Sequence, residues 1–125
     1  MKLTTTPKLA AVALTACALF LSAAYAATSG DLVSNMYGTV VGETSTGSVT
    51  VVNGEDYAPA SDIFLGNYYG SPAGNAGYGT FDMSGGTASL SGLHIGGGAK
   101  GVGVLTLSGG TLTITSAVHT SYDGD

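Results

Sequence analysis

Residues 77–86 read Gly-Tyr-Gly-Thr-Phe-Asp-Met-Ser-Gly-Gly and residues 101–110 read Gly-Val-Gly-Val-Leu-Thr-Leu-Ser-Gly-Gly, so the chain repeats itself at an offset of 24 residues. A repeat constrains the fold more than any single motif, because equivalent positions must find equivalent surroundings. A weaker copy at residues 47–54, Gly-Ser-Val-Thr-Val-Val-Asn-Gly, aligns Val49 with Phe81 and Leu105, and Val51 with Met83 and Leu107. Each Ser-Gly-Gly is followed by a second alternating run, Thr-Ala-Ser-Leu at 87–90 and Thr-Leu-Thr-Ile at 111–114. A third run recurs as Ile-Phe-Leu-Gly at 63–66, Leu-His-Ile-Gly at 93–96 and Val-His-Thr-Ser at 118–121.

Alternation with period 2 buries one face of a strand and leaves the other polar. Here the polar face is Thr and Ser. No single unit can enclose its own apolar face, whereas stacked units would place Leu105 over Phe81 and Ile114 over Leu90 in continuous interior columns. The expectation is an all-β chain built as a parallel β-helix, or solenoid, of about three short repeats with glycine at its corners. An antiparallel meander or sandwich is the alternative. The similarity runs between triplets of strands rather than pairs, which favours the helix. Residues 27–61 read as an N-terminal cap and degenerate first repeat, and residues 62–125 as the Gly-rich repeats. Leu105 and Leu107 are expected to stack inward and in register on Phe81 and Met83 within parallel strands.

Lys2 and Lys8 precede an apolar run over residues 9–21, followed by Ala24, Tyr25 and Ala26. A charged start, a short apolar stretch and small residues at a cleavage point make a secretory signal peptide of residues 1–26, cut after Ala26. The run is shorter than the roughly 20 residues of a membrane span. Leu14-Thr15-Ala16-Cys17 also has the pattern of a lipoprotein processing site, in which Cys17 would be lipidated to anchor an envelope protein. The apolar run continues past Cys17, which weighs against that reading. After cleavage at Ala26 the chain has no cysteine, and eight acids stand against Lys100 alone, a net charge of −7. Nucleic-acid binding needs a basic footprint and is excluded as a partner class.

The chemistry-bearing candidates are few. Residues 96–101, Gly-Gly-Gly-Ala-Lys-Gly, carry phosphate-loop spacing, but strand rather than helix follows, and the same place one unit earlier is a loop. His94 and His119 fall at equivalent positions and should form an outward ladder with neighbours about 4.8 Å apart; the motif offers no third metal ligand. Asp82 aligns with Thr50 and Thr106, so no carboxylate ladder forms. No catalytic, cofactor or metal residue is assigned. The long insertion at residues 67–79 carries Tyr68, Tyr69 and Tyr78, which are the candidate partner contacts, because tyrosine offers contact area at low entropic cost.

The pattern of Ile-Gly, a variable Gly-rich loop, and then Gly-x-Gly-x-Leu-x-Leu-Ser-Gly-Gly-x-Leu-x-Ile resembles repeats of autotransporter (type V secretion) passengers and of exported proteins with a PEP-CTERM sorting tail. The resemblance covers about residues 36–125. It implies a right-handed β-helical stalk at or beyond a Gram-negative cell surface, with adhesion to a host surface, a glycan or a biofilm matrix. Asp125 falls within a repeat, with no translocator barrel or sorting tail before it, so either the chain is a fragment of a longer one that engages the export machinery and outer membrane through its C-terminal region, or the family's export route does not apply to it. The rival class is a secreted carbohydrate-active β-helix enzyme. The last strands carry no charged side chain to protect their edge, so self-association is also expected.

Overall fold

The computed structural model describes residues 24–72, 74–98 and 100–122. The signal-segment readings, with Cys17, fall on residues outside these. All regular structure among the described residues is β-strand: β1 (Ala24–Tyr25), β2 (Ala27–Gly30), β3 (Leu32–Ser34), β4 (Gly38–Val41), β5 (Thr46–Val51), β6 (Glu55–Tyr57), β7 (Asp62–Gly66), β8 (Tyr78–Leu90), β9 (Leu93–Gly97), β10 (Val102–Ile114) and β11 (Val118–Tyr122). The expected cleavage after Ala26 falls between β1 and β2.

Two sheets of mixed direction result. One has the order β1-β6-β8-β5-β2, with β10 on the far side of β8; the other has the order β11-β9-β7-β4-β3. Pairing between successive units is parallel. Leu105 lies beside Phe81 and Leu107 beside Met83, while Val49 and Val51 take the same two partners from the other side. In the second sheet Val40 pairs with Phe64, Phe64 with His94, and His94 with His119. The 24-residue alignment is therefore the observed register of β10 on β8, and the meander, whose neighbours would be antiparallel, is not what forms.

The first two strands of the repeat join into one. β8 and β10 each run unbroken for 13 residues and change course at Gly86 and Gly110, whose φ values of 68° and 88° are cheap only without a Cβ. The register of β10 on β8 shifts between Leu107 and Thr111 and then resumes, Thr111 on Thr87 and Ile114 on Leu90. One unit earlier the same course is split into β5 and β6 by a turn at residues 52–54, and both halves pair with β8.

Another set of glycines serves a different end. Gly47, Gly79 and Gly103 form one ladder, and none of them has a positive φ. A Cβ on Gly79 would meet the Val41 carbonyl oxygen and the Gly66 nitrogen; one on Gly103 would lie 2.6 Å from the Gly96 nitrogen and 2.7 Å from the Leu65 oxygen. Glycine is needed here because the backbones of the two sheets touch. That explains the second glycine of each Gly-x-Gly, which corner geometry alone does not.

The core lies between the sheets. Val41, Ile63, Leu65 and Leu93 from one sheet meet Val49, Val51, Phe81, Met83, Ala88 and Leu90 from the other. Burying each large aliphatic or aromatic side chain contributes about 1.5–3 kcal/mol, which for a small domain must offset chain entropy. The columns are closed at one end and open at the other. At the N-terminal end β2 and β3 run antiparallel to β5 and β4, and Val49, Val51 and Val41 are fully buried. At the C-terminal end Leu107 keeps its expected register but not its expected burial: Met83 is 1% exposed and Leu107 52%, because no described strand covers β10.

Candidate functional site

On the face of the second sheet that points away from the core, equivalent positions form the column Val40, Phe64, His94 and His119. Alternation puts them there, since their neighbours Ile63, Leu65 and Leu93 are core residues. The Phe64 and His94 rings stack at 4.2 Å with 13° between planes, and His94 and His119 at 4.8 Å with 12°. The histidine ladder has the expected spacing and faces outward. His94 Nε2 lies 3.3 Å from Asp62 Oδ2, one strand away.

Phe64 is only 2% exposed although it lies on this outer face. Its cover comes from the long loop. Tyr68 and Tyr69 fold back so that their rings lie 6.0 and 6.1 Å from Phe64 in edge-on geometry. Tyr37 joins them at 6.1 Å from Tyr68 and 5.3 Å from Tyr69. Such tilted aromatic pairs are favourable beyond the area they bury. Tyr37 is held by a turn in which Asn35 Oδ1 accepts from the Tyr37 and Gly38 amides at 2.8 and 3.2 Å.

The loop is pinned by Asn67, a fully buried polar residue. Its Nδ2 donates to the Asn75 carbonyl at 2.6 Å, and its Oδ1 accepts from the Gly77 amide at 3.1 Å. Ser71 adds a second tie, donating from Oγ to Glu43 Oε1 at 3.1 Å and accepting from the Tyr68 amide at 3.2 Å. A buried amide must satisfy its polar atoms, and here it does so by closing both ends of the loop.

Of the three tyrosines read from sequence, Tyr68 and Tyr69 come together, while Tyr78 begins strand β8 and takes no part in the cluster. Tyr37 is the member that sequence reasoning missed. It stands 31 positions before Tyr68, and only the pairing of β4 with β7 carries it there. Tyr37 and Tyr69 are about half exposed and Met36, beside them, is 88% exposed. The result is an aromatic face with carboxylates at its margins, Glu43 and Asp62, suited to stacking against apolar faces of a ligand.

Asp56, Glu55 and Asp31 are engaged locally. Asp56 Oδ1 accepts from Thr87 Oγ1 at 2.7 Å and Glu55 Oε2 from the Val52 amide at 2.8 Å. They border an open groove of about 670 Å³ along the bend at Gly86 and Gly110. Asp82 lies between Thr50 and Thr106 as aligned. Asp31 Oδ2, between β2 and β3, accepts from the Thr44 amide at 2.6 Å, Thr44 Oγ1 at 2.9 Å and the Ser45 amide at 3.0 Å. These bonds, led by the Thr44 amide, hold its pKa below the ordinary value against the opposing effect of partial burial. Among the described residues no group of three or more His, Cys, Asp or Glu could hold a metal ion, and no helix is long and apolar enough to cross a membrane.

Neither protein-family models, curated proteins nor solved structures match this chain.

Proposed function

We propose that this chain is an exported structural or adhesive protein whose units wind as a right-handed parallel β-helix, the start of an autotransporter-type passenger. The observation that carries the reading is a bond repeated between units at the corners. The Tyr78 amide donates to the Ser45 carbonyl, and the Val102 amide to the Gly77 carbonyl, both at 2.9 Å. Positions 45, 77 and 101 precede equivalent strands, so turns as well as strands stack one unit on the next. Parallel strands joined by crossovers are right-handed in nearly all proteins, which supplies the hand. The signal segment at residues 1–26 supplies the route, and the face of Tyr37, Tyr68 and Tyr69 supplies the contact for a glycan or a matrix protein.

The test is expression of the tagged full chain in a Gram-negative host. The expected product begins at Ala27 and is released with the periplasmic fraction. An acylated Cys17 at the N-terminus would replace this reading with the lipid-anchored one, and an unprocessed internal chain would overturn export altogether. For the contact, a glycan array should give binding that Tyr37→Ala and Tyr69→Ala both abolish.

A further inference from the structure

The corner that Gly85-Gly86 and Gly109-Gly110 make in the later units is made by Asn53-Gly54 in the first. Gly54, Gly86 and Gly110 share the corner conformation, with φ of 84°, 68° and 88°. Of the three, only Gly54 is preceded by a residue with a side chain. Asn53 and Gly54 are exposed and border the open groove with Glu55, Asp56 and Thr87. Among the described residues neither the Asn53 side chain nor the Gly54 amide takes a hydrogen bond, and a Cβ on Gly54 would meet nothing within 4 Å. The other asparagines are held. Asn67 is buried with both ends of its side-chain amide engaged, and the backbone amide after it donates to Ser71 Oγ. Asn35 Oδ1 accepts from the Tyr37 and Gly38 amides, and Met36 follows it. The Asn75 carbonyl accepts from Asn67 Nδ2 and its amide donates to the Pro72 carbonyl, which fixes the peptides on both sides of it.

We propose that Asn53 is a site of spontaneous self-modification, converting to isoaspartate and aspartate through attack by the Gly54 amide nitrogen. That nitrogen loses its proton to hydroxide and adds to Asn53 Cγ. The bond from Cγ to Nδ2 breaks, and the nitrogen leaves as ammonia with a proton from water, closing a five-membered imide. Water then opens the ring. Opening at the main-chain carbonyl leaves isoaspartate, with the chain running through Cβ and Cγ, and opening at Cγ leaves aspartate. Glycine suits the attacking position because no Cβ crowds its nitrogen and its peptide turns freely. Ring closure turns the peptide between Asn53 and Gly54. Across the turn it is opposed by the bond from the Glu55 amide to the Val52 carbonyl at 3.1 Å and that from the Val52 amide to Glu55 Oε2 at 2.8 Å. The product does not fit the corner. Isoaspartate lengthens the main chain where Asn53 already lies so close to Gly85 that a Cβ on that glycine would be 2.7 Å from the Asn53 nitrogen. It also adds a carboxylate beside Glu55 and Asp56. The element it loosens is β6, which pairs with β8 only through Asp56 on Thr87 and Tyr57 on Ala88. The modification is independent of export or adhesion.

Peptide mapping by mass spectrometry tests it, on the folded full chain incubated at mildly alkaline and at mildly acidic pH. A gain of about 1 Da, ammonia out and water in, is expected at Asn53 ahead of every other asparagine, and faster at the alkaline pH. Labelling by an isoaspartyl methyltransferase should show isoaspartate among the products. Gly54→Ala should slow the reaction at least about tenfold, which asks for only about 1.4 kcal/mol of added barrier. Asn53→Asp supplies the charge without the longer main chain. Hydrogen-exchange protection at the Tyr57 amide should fall in the isoaspartate form and hold in Asn53→Asp. Asn53 intact in the folded chain while it reacts in urea, equal reaction at Asn35, Asn67 or Asn75, or aspartate without isoaspartate would each overturn the proposal. So would a rate indifferent to Gly54→Ala, or unchanged protection at Tyr57 in the isoaspartate form.

Discussion

Gly103 lies directly over Gly79 in the paired strands β10 and β8, and each fills a place where the backbone of the other sheet leaves no room for a side chain. Gly79→Ala should therefore destabilise the chain by at least about 2 kcal/mol, as an overpacked site that backbone cannot relieve. Gly54→Ala is the contrast. A Cβ there meets nothing within 4 Å, and its cost is limited to the strain of a φ of 84°. Urea denaturation of the two variants should rank Gly79→Ala as the more damaging.

Met83 and Leu107 occupy one column, but only Met83 is covered. Met83→Asp should abolish cooperative folding, since an unpaired carboxylate there has no access to water. Leu107→Asp can keep its carboxylate hydrated at the open end and should cost about 1 kcal/mol. Thermal melts followed by circular dichroism check the ordering, and equal losses would mean that Leu107 is buried after all.

Removing the amide of Asn67 leaves the Gly77 amide and the Asn75 carbonyl without their partners. A buried group left unpaired costs about 1–3 kcal/mol. Asn67→Ala should loosen the loop and withdraw Tyr68 and Tyr69 from Phe64, read as faster hydrogen exchange at Gly77 and higher proteolytic sensitivity within residues 68–76.

Asp31 ties β2 and β3 to the turn at Thr44 and Ser45. Its pKa is depressed in the folded chain, so the bound carboxylate contributes stability that is fully present above the ordinary value of 3.8 and lost as the pH falls through the lower folded value. Acidification should release the N-terminal strands first. The protection factors at β2, exchange being referred to the intrinsic amide rate at each pH, should fall at low pH in the parent, while Asp31→Asn should already be poorly protected at neutral pH and respond less to acid.

Much of the register was legible because Phe81, Leu105, Met83 and Leu107 repeat an apolar alternation that only one alignment preserves. The stacked histidines were legible for the same reason. Tyr37 was not, since its approach to Tyr68 depends on which strands become neighbours. Asn67 gave no signal either: an asparagine after a glycine reads as an exposed turn, and nothing local marks it as the buried pin of a loop. The glycine ladder was visible, but its cause was not, because a glycine required by a close approach looks the same in sequence as one required by a positive φ. The reversal of β2 and β3 carries no pattern at all in four small residues, Ala27, Thr28, Ser29 and Gly30.

The central claim is that successive units lie parallel and in register, and a cysteine pair tests it most directly. Asp82 and Thr106 are partners on β8 and β10, and neighbouring strands sit about 4.8 Å apart, within reach of a disulfide. With Cys17 replaced by Ser, the double variant Asp82→Cys/Thr106→Cys should oxidise to an intrachain bridge. Asp82→Cys/Val104→Cys, two residues out of register on the same face, should not. Intrachain bridging of the second pair in preference to the first, or of neither, would contradict the stacking.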